Sequence, residues 1–230
     1  MRHGSRPEGM SEVMVSRKGR RFMTPSPLIE PAQCALILVD QQAGLAFASG
    51  SADAQMLRNN GLAAAKTAVA FGLPIVVSTS ASKVYSGPLM PAFRAVLPDV
   101  APIERRNMNL WEDEAAHAAV VATGRKTLIF AGLLAEACIS FPVLSALADG
   151  YRVFVVADAC GGLTATSHDL ALRRLEAAGA TLTSWLQMLL ELQRDWTRHD
   201  TYEAARAIVV EHGGGYGTGL AYARDMIKPA

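Results

Sequence analysis

The sequence predicts an α/β protein in which a mostly parallel, six-stranded sheet lies between two layers of helices, a three-layer and doubly wound arrangement. Short apolar runs without polar alternation recur along the chain, and such runs are typical of strands buried on both faces. The stretches between them have helical spacing. Strands that alternate with helices form βαβ units, which place the strands parallel and the helices on both faces of the sheet.

The elements follow in order along the chain. The predicted strands are residues 35–39, 74–77, 102–104, 127–131, 153–157 and 181–183. The predicted helices are residues 53–71, 112–123, 136–149 and 167–178, each followed at or near its end by a glycine that can cap it. Residues 80–98 are rich in Ser, Gly and Pro and predict a long loop with a short helix near residues 91–96. Loops of this length in compact domains are often functional.

The chain divides into three segments. Residues 1–30 are basic and polar without the apolar run of a signal peptide, which indicates a disordered leader. Residues 31–196 hold the α/β pattern and form the main domain. Residues 197–230 predict a helical appendage that serves oligomerisation: a helix over 201–211, a flexible glycine-rich loop over 213–219 and a last helical piece.

Composition excludes several classes of protein. Half of the residues are hydrophobic, only 19% are charged and the formal charge is +1, so neither a disordered chain nor a nucleic-acid-binding protein is indicated. No apolar run reaches the ~20 residues that span a bilayer. The 3 cysteines are too few for a disulfide scaffold and favour a reducing, cytoplasmic location. We expect a small-molecule substrate and no nucleic-acid or membrane partner.

Residues whose side chains could take part in catalysis follow three predicted strands. Asp40 directly follows the first strand, Arg105 and Arg106 follow the short strand at 102–104, and Cys138 follows the strand at 127–131. Because ligands of open parallel sheets bind beyond the carboxyl ends of the strands, we expect these side chains to meet there. Taken singly, each has an ordinary alternative: a capping carboxylate, solvated surface arginines and a buried cysteine.

Cys138 stands at a predicted helix start, where backbone N–H groups and the helix dipole stabilise a thiolate. We therefore expect its pKa to be low, with Arg105 lowering it further and Asp40 opposing. Cys34 and Cys160 are expected to be ordinary buried cysteines. The histidines show no metal-ligand spacing, so no metal and no cofactor are expected.

The three strand-end residues lie within a larger pattern. The segments ALILVDQQAG (35–44), IFAGLLAEAC (129–138) and ADGYRVFVVADA (148–159) together resemble the isochorismatase-like cysteine hydrolase superfamily. Within it, EACISFP (136–142), NMNLW (107–111) and ELQRDW (191–196) resemble the YcaC-type branch. The resemblance covers about residues 31–196 and implies the isochorismatase-like hydrolase fold with strand order 3-2-1-4-5-6.

The resemblance implies an Asp–Lys–Cys triad at those strand ends. Asp40 then corresponds to the Asp and Cys138 to the nucleophile. The basic position falls on Arg105, with Arg106 as the alternative, so this chain has Arg where the family has Lys. Arg cannot shuttle a proton, although it can hold a carboxylate.

Further features are implied in the same way. A cis peptide bond is expected at Leu134–Ala135, and an oxyanion hole at the backbone of Leu134, Ala135 and Cys138. The side chains expected to line the substrate pocket are Phe47, Asn107, Trp111 and Phe141. Residues 78–82 lack the metal-binding Asp and His cluster of nicotinamidase relatives, which disfavours nicotinamide and zinc.

The sequence thus predicts a homo-oligomeric cysteine hydrolase acting on a small amide or related C–N bond through an acyl-enzyme on Cys138. The alternative is a catalytically idle oligomeric or small-molecule-binding protein that retains the hydrolase fold. Oligomerisation is indicated by Ala-rich helices over 169–180 and by the apolar positions of 201–226, which one sheet cannot wholly cover.

Overall fold

The computed structural model describes residues 27–227, so residues 1–26 of the predicted leader and the last three residues of the chain lie outside the described part. Within it, a six-stranded sheet has the order β3-β2-β1-β4-β5-β6, and every neighbouring pair is parallel. The predicted α/β class and strand order are confirmed. The strands are β1 Cys34–Val39, β2 Ile75–Ser80, β3 Ile103–Arg105, β4 Thr127–Leu133, β5 Arg152–Gly161 and β6 Thr181–Thr183.

Helices cover both faces of this sheet. They are α1 Ala43–Ala48, α2 Ala54–Ala70, α3 Pro91–Val96, α4 Glu114–Ala122, α5 Ser140–Ala148, α6 Ala165–Ala177, α7 Trp185–Gln193, α8 His199–His212 and α9 Gly214–Tyr222. α2, α3, α7 and α8 form a hydrophobic core with one face, and α4, α5 and α6 form a second core with the other. No helix within residues 27–227 combines the length and the apolar character that crossing a bilayer requires.

The central strand β1 shows why the apolar runs lack alternation. Leu36 and Leu38 point into the core beneath α2, while Ala35, Ile37 and Val39 point into the core beneath α4 and α5. Every residue of β1 is buried because both faces of a parallel sheet are covered. Polar residues are therefore excluded from the strand, and the first charged side chain, Asp40, comes directly after its end.

Helix starts agree with their capping chemistry. The Asp53 carboxylate accepts the backbone N–H groups of Gln55 and Met56 at the start of α2. Thr164 and Ser167 form a capping box at the start of α6, which therefore begins at Ala165, two residues before the predicted position. The predicted helix at 136–149 is confirmed as α5, preceded by a π-helical turn over Ala135–Ile139.

The C-terminal helix α8 packs into the core of the main domain and is not a separate appendage. Ala205, Ile208 and Val209 of α8 are buried in the same core as α2 and α7. Removing residues after 196 would therefore open that core.

The prediction of a flexible loop over the glycine-rich segment 213–219 is wrong, because the segment forms most of α9. The physical reason is close packing against α8. A Cβ atom on Gly217 would lie 2.3 Å from the backbone oxygen of Val209 and 2.7 Å from that of Val210. Glycine is required there because α9 approaches the α8 backbone more closely than any side chain allows.

This packing gives a stability test with an internal control. Gly217→Ala must push α9 away from α8, so we expect the free energy of unfolding to fall by about 1–3 kcal/mol. At Gly215, nothing lies within 4 Å of the position that a Cβ atom would take. Gly215→Ala should therefore raise the free energy of unfolding by about 0.5–1 kcal/mol, because alanine favours a helix over glycine. Urea unfolding at one fixed protein concentration measures both, and equal effects of the two variants would contradict the packing argument.

Candidate active site

Asp40 ends β1 with a change of backbone direction. Its φ is +53°, a left-handed conformation that Asp tolerates better than most residues, and its N–H donates to the Ser78 carbonyl oxygen at 2.9 Å. The side chain is fully buried and its Oδ2 accepts a hydrogen bond from the Ser80 hydroxyl at 3.2 Å. Its Oδ1 is buried without a hydrogen-bond partner among the described residues.

Arg105 supplies the opposite charge from two strands away. It is the last residue of β3, and its side chain crosses over β2 to form a fully buried ion pair with Asp40. On the way its Nε donates to the Ser78 hydroxyl at 3.4 Å. Its Nη1 donates to the backbone oxygens of Asn107 and, at 2.9 Å, of Met108. Arg106 is exposed, so Arg105 and not its neighbour occupies the position beside Asp40.

The turn that carries Cys138 begins where β4 meets β1. Gly132 has φ +153°, and a Cβ atom there would lie 1.9 Å from the Val39 carbonyl oxygen. Only glycine allows the two strands to approach this closely. The π-helical turn then places Cys138 beside Asp40, close enough for its thiol to interact with both Asp40 and Arg105.

The cis peptide bond lies at Leu133–Leu134 and not at Leu134–Ala135 as expected. The one-residue displacement has a structural reason. The turn is π-helical, with the Ile139 N–H donating to the Leu134 oxygen at 3.1 Å across five residues. The Leu134 carbonyl thus already belongs to the turn, and the cis bond lies where the turn joins Leu133, the last residue of β4.

Glu136 anchors this turn to the next layer, a role that the sequence analysis does not assign. Its Oε1 accepts the Leu163 N–H at 2.7 Å and the Ser167 hydroxyl at 2.5 Å. Leu163 and Ser167 belong to the connection from β5 to α6 and to the first turn of α6. The acidic side chain two residues before Cys138 therefore fixes the position of the turn that carries Cys138.

The ionisation of Cys138 differs from the expectation of a low pKa. Burial raises the pKa of the Cys138 thiol, the negative charge of Asp40 raises it further, and Arg105 opposes both. The helix-start argument is wrong here because loss of solvent outweighs the favourable charges. Burial also raises the pKa of Asp40, against the lowering effect of Arg105. At Cys34 and Cys160, burial raises the pKa to about 12, as suits ordinary buried thiols.

Cys138 opens onto a cavity of about 550 Å³. The residues that line it are Ser80, Ala81, Lys83, Val84, Glu104, Arg105, Arg106, Asn107, Met108 and Cys138. They come from the turn itself, from the end of β3 and the segment after it, and from the long loop predicted at 80–98. A volume of this size suits a small ligand. We call it the Cys138 cavity.

Gln42 holds the long loop that lines part of the Cys138 cavity, and sequence reasoning missed this role. It is fully buried, and its amide contacts the Ser80 backbone N–H and oxygen at 3.0 Å each and the Gly87 oxygen. The amide thereby holds the start and the middle of the long loop against β1. Its place two residues after Asp40 was the available signal, since a polar residue this close to a buried strand end needs partners.

Of the four expected pocket side chains, Asn107 lines the Cys138 cavity and three do not. Phe47 lies on α1 with 85% of its surface exposed, and Phe141 lies on the outer part of α5. Trp111 packs on His117 and Tyr151 and donates its indole N–H to Asp149 at 2.7 Å. Its aromatic surface therefore packs against α4 and the connection between α5 and β5, and not in the cavity. Within residues 27–227, no group of three or more His, Cys, Asp and Glu side chains is placed to hold a metal ion.

Comparison with known proteins gives consistent matches. The Isochorismatase domain family matches residues 34–187. The "Probable hydrolase YcaC" of Escherichia coli K12 is 40% identical over 173 residues, which cover 75% of this chain and 83% of that protein.

Solved structures agree with this similarity. The crystal structure of E. coli YcaC, described as an octameric hydrolase of unknown specificity, superposes with a TM-score of 0.84 and 36% identity, covering 90% of this chain and all of that one. YcaC from Pseudomonas aeruginosa, with hexane-2,5-diol and covalent acrylamide, gives a TM-score of 0.81 at 36% identity, covering 86% of this chain and 98% of that one.

The pKa directions generate a test of the site electrostatics. We expect the rate of Cys138 alkylation by iodoacetamide to show its inflection above the ordinary thiol pKa of ~8.5. Asp40→Asn should move the inflection down, because it removes a negative charge that disfavours the thiolate. Mass spectrometry of the Cys138 peptide separates this reaction from that of Cys34 and Cys160.

Glu104→Gln is the matched control. It removes a carboxylate from the same cavity, but Glu104 is not among the groups that shift Cys138. In Glu104→Gln, the pH at which the Cys138 alkylation rate inflects should therefore stay near the wild-type value. A wild-type inflection at or below ~8.5 would contradict the dominance of burial over the helix start.

Proposed function

The chain belongs to the isochorismatase family and is similar to YcaC, and from this and the site geometry we propose that it hydrolyses a small amide or related C–N bond through an acyl-enzyme on Cys138. The observation that carries the proposal is the buried Asp40–Arg105 ion pair beside a cysteine that opens onto a cavity. A nucleophile, a proton acceptor and a fixed positive charge together are what acyl transfer requires.

In the first half of the reaction, the Cys138 sulfur attacks the substrate carbonyl carbon. The thiol proton moves to Asp40, whose Oδ1 is buried and has no other hydrogen-bond partner in the described part of the chain. The S–C bond forms, the C–N bond breaks, and Asp40 returns the proton to the leaving nitrogen. In the second half, Asp40 takes a proton from the water that attacks the thioester carbon. The C–O bond forms, the S–C bond breaks to release a carboxylic acid, and Asp40 returns the proton to the Cys138 sulfur.

Arg105 holds the carboxylate in this cycle and carries no proton, because its guanidinium stays charged at any accessible pH. Backbone N–H groups of Leu134, Ala135 and Cys138, in and beside the π-helical turn, would bind the oxyanion of the tetrahedral intermediate. The anchored turn supports this role, since Glu136 ties it to the start of α6. Donors held in place before the reaction need no reorganisation during it.

Relatives support a reactive small-molecule site. YcaC of E. coli is described as a hydrolase, and the P. aeruginosa YcaC structure contains covalent acrylamide, a small amide electrophile. The Cys138 cavity, at about 550 Å³, suits a substrate of similar or moderately larger size.

Substitution of the nucleophile tests the proposal against the alternative of a catalytically idle binding protein. In a screen of small amides, ureides and carbamoyl compounds, we expect Cys138→Ala to lower kcat/KM by at least about 10³-fold, since the covalent route is lost. Cys160→Ala is the matched control and should keep activity, because Cys160 is buried in the second core and does not line the cavity. Turnover that survives in Cys138→Ala would refute the acyl-enzyme, and a complete absence of turnover would favour the idle protein.

We also propose that the chain forms a homo-oligomer. YcaC of E. coli is octameric, and Tyr222, Met226 and Ile227 leave apolar side chains exposed at the end of the C-terminal helices. An exposed apolar cluster of this kind is typical of an interface between copies. Light scattering should give a mass several times the 24.5 kDa of the chain.

Met226→Glu should lower the oligomer mass if this surface is the interface, because burying an unpaired charge is costly. Val69→Glu, on the exposed side of α2, is the matched control and should leave the mass unchanged. A 24.5 kDa wild-type particle at micromolar concentration would contradict the proposal.

A further inference from the structure

The charged side chains of the Cys138 cavity differ in how well they are compensated. Arg105 is neutralised by Asp40. Lys83 and Arg106 are exposed and line the cavity, and neither forms an ion pair within residues 27–227. Uncompensated cations that share one concave surface produce a positive potential inside it.

Among the residues the structure describes, Glu104 is the one carboxylate that lines the Cys138 cavity. Its oxygens already accept hydrogen bonds from the Thr79 hydroxyl at 2.8 Å and the Ser82 N–H at 3.0 Å. Although burial raises the pKa of Glu104, these hydrogen bonds and Lys83 lower it overall, so it stays ionised. Glu104 offsets one of the two cations, and the second leaves the cavity positive.

Apolar side chains line the same cavity as these charges and the thiol. Val84 and Met108 line the cavity with 77% and 66% of their surface exposed. Apolar side chains this exposed on a cavity wall are available to contact the aliphatic part of a ligand.

We propose, building on the hydrolase function above, that the substrates are small amides that carry an anionic group, such as a carboxylate, at the end remote from the scissile bond. Arg106 and Lys83 bind the anionic group, and Val84 and Met108 contact the short aliphatic spacer. The amide carbonyl then lies at the Cys138 sulfur, beside the Asp40–Arg105 pair. Arg106 and Lys83 are specificity-determining residues and take no part in bond making.

Two alkylating reagents that differ mainly in charge test the anion site without any knowledge of the substrate. Iodoacetate is anionic and iodoacetamide is neutral, and each forms an S–C bond at Cys138 with loss of iodide. We expect the iodoacetate-to-iodoacetamide rate ratio at Cys138 to exceed that of free cysteine at the same thiolate fraction. The excess should disappear as salt rises from about 0.01 M to about 1 M, because salt screens exposed charges.

Substitutions assign the effect to its residues. Arg106→Gln and Lys83→Gln should each lower the rate ratio by about threefold at low salt, as expected for one charge at several ångströms in a largely solvated site. Arg106→Lys keeps the charge and should keep the ratio. Lys126→Gln is the matched control, because Lys126 directly precedes β4, at the amino end of the strand, whereas Cys138 follows its carboxyl end. A ratio equal to that of free cysteine, or one equally changed by Lys126→Gln, would overturn the proposal.

Amide pairs separate this proposal from the hydrolase function on which it rests. Succinamate and 4-methylpentanamide have the same number of non-hydrogen atoms, but only succinamate carries a carboxylate. We expect wild-type kcat/KM to favour succinamate and Arg106→Gln to reduce that preference, chiefly through KM. Equal hydrolysis of both amides would overturn the anion site and leave the hydrolase intact. Hydrolysis of neither, with a charge-dependent alkylation ratio, would overturn the hydrolase for these amides and support the anion site.

Discussion

The buried ion pair between Asp40 and Arg105 is the interaction on which the site is built. Both side chains are fully buried, so removing either partner would leave a charge without solvent or counter-ion, at a cost of about 3–5 kcal/mol. The pair also ties β3 to β1 across β2, and it holds the backbone of Asn107 and Met108 at the cavity wall. A change at this pair therefore alters the charge beside Cys138 and the shape of the cavity together.

Arginine at position 105 is more than a retained positive charge. Its planar guanidinium reaches four acceptors at once: Asp40, the Ser78 hydroxyl and the two backbone oxygens of Asn107 and Met108. The resemblance implies lysine at this position, and an ammonium group has only three donors. The additional contacts explain how a short three-residue strand can end in a well-fixed loop. Because the guanidinium stays protonated, Asp40 is the group beside Cys138 that can accept the thiol proton.

The sequence predicts the parts of this structure that depend on burial pattern and chain order. Apolar runs predict the strands, and the carboxyl ends of those strands predict that Asp40, Arg105 and Cys138 meet. The helix α7 also has a readable signal, since Trp185, Met188, Leu189 and Leu192 repeat at helical spacing and are buried. Features that depend on contacts between distant segments cannot be predicted from the local pattern of apolar residues. Gly217 looks like a loop residue until the close approach of α8 is known, and Phe47 looks like a pocket wall until its exposure is known.

The pKa of Cys138 is raised by burial and by Asp40, which are contacts with segments distant in the sequence. The raised pKa determines how the thiolate can form. Burial penalises the charged forms of both Cys138 and Asp40, and the negative charge of Asp40 disfavours ionisation of the thiol. Two acidic groups that interact this closely titrate as one coupled system. With Arg105 charged, one negative charge on the pair makes the cluster neutral. Moving a proton from the sulfur to the carboxylate relocates that negative charge without changing the total. A buried site can therefore generate the nucleophile within the cluster, even though burial disfavours a thiolate formed by release of the proton to water.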